Sequence, residues 1–119
     1  MPRTTLNRTT PLGPYPTLQP SADALDGVWT AADVTNKNQF VLDGPVLLQF
    51  WNSGASPYTV TLTSTTDGQN RTGDVTAYSL AAGDIGVFKI DQVIGWRQTD
   101  GYMYLEASNA AVKFNVTRL

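Results

Sequence analysis

The chain contains neither histidine nor cysteine, so the side chains able to do chemistry are its carboxylates, hydroxyls and aromatic rings. Without imidazole it lacks the commonest general base and the commonest transition-metal ligand. Without thiols it lacks disulfides, thiolate nucleophiles and cysteine-based zinc sites, and nothing in it requires an oxidising compartment. Paired carboxylates remain for acid–base work. A glycosidase needs two of them about 5–10 Å apart across a cleft. Asp67 and Asp74 flank one loop and are the pair best placed for that spacing. Yet Asp26, Asp43, Asp67, Asp84 and Asp100 all stand in turn-forming sequences, where Asp is favoured by local hydrogen bonding. The loop Asp67-Gly68-Gln69-Asn70 lacks the alternating acidic ligands and closing Glu of a calcium-binding hand. No Gly-x-Ser-x-Gly elbow is present to present a nucleophilic serine. The expectation is a chain with no catalytic, cofactor-binding or metal-ligating residues.

The aromatic rings offer recognition instead. Tyr102 and Tyr104 fall on one face of a strand, opposite Met103 and Leu105. One of those faces must be core, which leaves the other to solvent, a subunit interface or a ligand. Because Tyr and Trp are enriched at protein contacts, Trp96, Tyr102 and Tyr104 are candidates for a subunit interface. A sugar-stacking platform built from the same rings is the competing reading.

The elements that position these residues read as all-β. Val28–Ala31, Gln39–Leu42, Val46–Trp51 and Tyr58–Thr63 have strand character, as do Val75–Leu80, Ile85–Ile90, Tyr102–Ala107 and Val112–Arg118. Turn sequences such as Asp43-Gly44-Pro45 and Thr99-Asp100-Gly101 separate them. Tyr58–Thr63 alternates most cleanly, and Val46–Trp51 is apolar on both faces, as a central strand would be. Ser21 to Leu25 reads as a single helical turn, with Ser21 as its N-cap. About eight short strands at this spacing predict a jelly-roll-like β-sandwich body over residues 28–119.

Residues 1–27 are different. Pro2, Pro11, Pro14, Pro16 and Pro20 stiffen the first twenty residues, and few large apolar side chains accompany them. Such a segment cannot pack a core of its own. It therefore reads as an extended arm held by a partner or a neighbouring copy of the chain. In polyproline II, Leu12, Tyr15 and Leu18 would share one edge, suited to docking in a groove. Arg3 and Arg8 give the first twenty residues a charge of +2 against −2 overall, which leaves −4 on the remainder. That balance suits an acidic protein surface and not nucleic acid, which asks for a clustered basic face. Arg3, Leu6, Arg8, Leu12, Tyr15 and Leu18 are the expected arm contacts. No apolar run approaches the roughly 20 residues of a membrane span, and no secretory h-region follows Met1. The chain reads as cytoplasmically made, with no membrane partner.

A set of motifs in order carries a resemblance. Trp29-Thr30-Ala31-Ala32-Asp33 leads to Asn36-Lys37-Asn38-Gln39-Phe40, then to Asn52-Ser53-Gly54 and Tyr58-Thr59-Val60-Thr61-Leu62. Arg71-Thr72-Gly73-Asp74-Val75, Ala81-Ala82-Gly83-Asp84-Ile85-Gly86-Val87-Phe88 and Asp100-Gly101-Tyr102-Met103-Tyr104 follow. Over residues 28–118 this order resembles the capsid decoration (cement) proteins of tailed phages. The resemblance implies a β-sandwich subunit, commonly a homotrimer, seated on a shell of major capsid protein at the outer surface of the virion. It supplies no catalytic residues. The expected function is therefore non-enzymatic decoration and stabilisation of an icosahedral capsid, with the arm clamping neighbouring subunits. A glycan- or receptor-binding module of a tail or head fibre, or a tail or connector subunit, is the alternative.

Overall fold

The computed structural model describes residues 2–11, 27–67 and 69–119, and among these no helix is present. Ten strands form: β1 (Thr4–Thr5), β2 (Arg8–Thr9), β3 (Thr30–Ala31), β4 (Asn38–Val41) and β5 (Val46–Asn52), then β6 (Tyr58–Thr63), β7 (Val75–Leu80), β8 (Ile85–Ile90), β9 (Tyr102–Ala107) and β10 (Val112–Arg118). The strands expected from residue 28 onward are all there, with β3 shorter than its apolar pattern suggested. They build a β-sandwich. Sheet A has the order β1-β4-β9-β6-β7; sheet B has the order β2-β10-β5-β8, with β3 also paired to β10.

Period-two alternation fills the space between the sheets. Phe40 of β4, Val60 and Leu62 of β6, and Met103 and Leu105 of β9 point inward from sheet A. Val46, Leu48 and Phe50 of β5 and Val112, Phe114 and Val116 of β10 meet them from sheet B. Asn52 closes one end of this core. Its Nδ2 donates to the carbonyls of Leu80 (2.9 Å) and Ser56 (2.7 Å), and its Oδ1 accepts from the Gly54 N–H at 3.0 Å. A buried amide satisfied on both atoms thus ties sheet B to the end of β7 in sheet A.

Residues 2–11, the described part of the expected arm, pair with the body. β1 runs parallel to β4 and β2 runs parallel to β10. Between them the chain steps from one sheet to the other and drops Leu6 into the seam, where it is 4% exposed. The N–H groups of Thr4 and Leu6 donate to the carbonyls of Lys37 (2.9 Å) and Gln39 (2.7 Å). Residues 2–11 are therefore a strap that closes one side of the sandwich. Leu6 finds in its own body the apolar pocket that the sequence reading assigned to a partner.

The chain leaves the strap with Thr9 beside Thr117 and returns with Thr30 beside Phe114, three positions apart on β10. On its return Gly27 lies against Asn115, so closely that a β-carbon would come 2.7 Å from Asn115 Nδ2. Leu12, Tyr15, Leu18 and the helical turn expected at Ser21–Leu25 lie outside the described residues.

Candidate interaction surface

The structure separates the residues that the sequence nominated. Arg3 donates from Nη1 to the carbonyls of Asn38 (3.1 Å) and Leu105 (3.3 Å), and its guanidinium stacks 4.2 Å above the Tyr104 ring. Arg8 pairs with Asp43 at 2.5 Å. Both arginines, expected to meet a neighbour, are engaged by this chain's own body.

Tyr102 and Tyr104 do lie on the outer face of sheet A, with Met103 and Leu105 buried behind them. The Tyr104 hydroxyl donates to Asp100 Oδ2 at 2.5 Å. This bond is the chief reason that the Asp100 carboxyl titrates below the usual carboxylate range and the Tyr104 phenol above its own. One face of Tyr104 is thus covered by Arg3 and its edge is held by Asp100. Trp96 sits in the turn after β8 and packs edge-on against Phe88, 5.2 Å between ring centroids. It belongs to the margin of the core, so the three rings do not form one platform.

Asp67 and Asp74 are likewise occupied. Asp67 accepts from the backbone N–H groups of Arg71 and Gln69 and from Arg71 Nε, and these bonds hold its carboxyl low. Asp74 accepts from the hydroxyl and the N–H of Ser64, with the same effect. Both are acceptors that shape the loop, and neither has the raised pKa that a proton-donating carboxyl requires. Among the described residues no group of His, Cys, Asp or Glu is placed to hold a metal ion, and no helix is long and apolar enough to cross a membrane.

The feature left over is on the other sheet. The outer face of sheet A is polar along β6, where Thr59, Thr61 and Thr63 point outward. The outer face of sheet B is not. Leu47 and Trp51 of β5 lie beside Lys89 and Ile85 of β8, with Val87 between these two on β8. Ile85 is 53% exposed and Val87 59%. Trp29 folds edge-on against Trp51, with centroids 5.7 Å apart, and Lys113 Nζ lies 5.3 Å above the Trp51 ring. A solvated sheet face normally alternates to polar residues; this one groups Trp51, Ile85 and Val87 in an apolar strip, with Gln49 between Trp51 and Leu47 on β5 and lysines at both ends.

The strip continues around β8 to the side of the sandwich opposite the strap. There β7 and β8 stand at the edges of their sheets, and among the described residues no strand bridges them. Phe50, Leu62, Val75, Tyr78, Val87 and Phe88 line a cleft of about 240 Å³. Tyr78 is 51% exposed and meets Phe50 edge-on at 6.2 Å.

Sequence reasoning nominated Trp96, Tyr102 and Tyr104 and did not single out the outward side chains Leu47, Trp51, Ile85 and Val87. The signal was present. A strand apolar on both faces, such as Val46–Trp51, has only one core to face in a two-layer sandwich, so its second apolar face must point outward. No protein-family model, curated protein or solved structure matches the chain.

Proposed function

We propose that the protein is a non-enzymatic structural subunit that decorates and stabilises a phage capsid. It seats on the shell of major capsid protein through the outer face of sheet B. The observation that carries this reading is the apolar strip of Leu47, Trp51, Ile85 and Val87 on a rigid sheet face. Large exposed apolar patches mark protein contacts, and a flat sheet loses little conformational entropy when it docks. Two further features support it. The order of motifs over residues 28–118 resembles that of capsid decoration proteins. The body strands also interleave, β3-β10-β5-β8 against β4-β9-β6-β7, which supports a jelly-roll reading, an architecture used in viral capsids.

The clamp assigned to the proline-rich segment is confined to Leu12, Tyr15 and Leu18, because Arg3, Leu6 and Arg8 serve the body. Face and segment acting together would multiply modest single affinities, and binding only to the assembled shell stabilises it by mass action.

Leu47→Glu tests the reading. It places a carboxylate at one end of the strip, opposite Lys89, on a central strand away from both sheet edges. Added to expanded capsids assembled without this protein, the variant should bind at least about tenfold more weakly, about 1.4 kcal/mol, while its thermal melt stays cooperative. Unchanged co-sedimentation with the capsids would overturn the proposal.

A further inference from the structure

Sheet edges expose unpaired backbone groups, and proteins normally blunt them with short strands, prolines, bulges or charges. Three of this sandwich's edge strands, β1, β2 and β3, are two residues long. β7 is broken by a register shift between Val60 and Leu62, with Ala77 at φ 50° and its N–H turned to Thr61 Oγ1. β8 has none of these protections. It is six residues long, regular and free of proline, and Lys89 is its only charge.

Its backbone polarity follows from one bond. The Asp84 carbonyl accepts from the Asn52 N–H at 3.0 Å, so it points toward β5. Backbone groups alternate along an antiparallel strand. Gly86, Phe88 and Ile90 therefore also face β5. The N–H and C=O groups of Ile85, Val87 and Lys89 face the open side.

We infer that β8 pairs antiparallel with β8 of a second copy of this chain, about a two-fold axis at Val87. Sheet B then continues across the axis as one sheet. The strand is complementary to itself in this register. Val87 meets Val87 of the copy and exchanges both backbone bonds with it. Ile85 lies opposite Lys89, whose alkyl stem covers the isoleucine while the ammonium stays in water. On the inner face Phe88 comes opposite Gly86, the one position on β8 without a β-carbon. The two open sides, each with its exposed Tyr78, then close against one another. This is an isologous contact that ends at two copies. It differs from the trimer implied by the resemblance, and it concerns the free protein, independently of any docking on a shell.

The test uses the full-length chain without capsids. Sedimentation equilibrium at micromolar concentration should give the mass of two chains. Val87→Lys sets like charges directly opposite each other at the axis. It should raise the dimer dissociation constant at least tenfold and leave the circular dichroism unchanged, because Val87 is exposed. The cysteine-free chain allows a second probe: Val87→Cys under mild oxidation should give a covalent dimer, whereas Ile94→Cys should not. A monomeric wild type, a trimer indifferent to Val87→Lys, or equal cross-linking of the two cysteine variants would overturn the inference.

Discussion

Gly86 shows how a single residue couples the ladder to the core. It sits on β8 opposite Phe50, and a β-carbon there would lie 2.1 Å from Phe50 Cε2. The Phe50 ring is itself held edge-on by Tyr78, so it has little room to retreat. Gly86→Ala should therefore destabilise the fold by about 1–3 kcal/mol through overpacking, read as a lower urea midpoint. An unchanged midpoint would mean that the ring swings freely into the cleft. The sequence marks this position only as one of several glycines before a phenylalanine. Asn52 was more legible: Asn52-Ser53-Gly54 stood out as a strand-ending motif. Its reason is that the amide satisfies the loop after β5 and the end of β7 at once.

At the level of elements the strap is where carboxylates concentrate their effect. Asp33 titrates low chiefly because the Asn36 N–H donates to it, with the Thr4 hydroxyl next. Asp43 is held low first by the hydrogen bond from Arg8, and Asp100 by Tyr104 with Arg3 nearby. A carboxyl whose folded pKa is depressed stabilises the fold at neutral pH. That contribution is lost as pH falls through the folded value. All three groups touch the strap or its immediate support, so acid below about pH 4 should loosen the strap before the central strands. Amide exchange, corrected for intrinsic rates, should show Leu6 losing protection at pH 3 while Leu105 keeps it. Equal protection of Leu6 at pH 3 and pH 6 would refute this. The strap was also the least legible element. β6 and β10 announce themselves by alternation within six or seven residues, and their expected bounds hold. Thr4-Thr5 and Arg8-Thr9 carry no period, because their stability comes from strands far along the chain. The lone clue was Leu6, an apolar side chain in a polar context. The apolar strip on sheet B was half legible: β5 advertised two apolar faces, but Ile85 and Val87 joined it only once the register with β8 was known.

For the whole molecule, the strap makes the N-terminal residues part of the fold's stability. A dispensable arm would leave a body unaffected by its removal. Deleting residues 2–9 should instead cost at least about 2 kcal/mol, the low end for losing one buried leucine. That is a sizeable share of the 5–15 kcal/mol that holds a typical domain together. The truncated chain should melt several degrees lower, and an identical melting curve would restore the dispensable arm. The position of β10 carries a different consequence. It is the last of the ten strands to leave a ribosome, yet β2, β3 and β5 all pair with it. During synthesis the earliest strands of sheet B wait for the latest one, and the strap has no complete seam to enter until then. Sheet B consequently stays incomplete until β10 emerges, and its outer face and the seam for Leu6 form in the same late step.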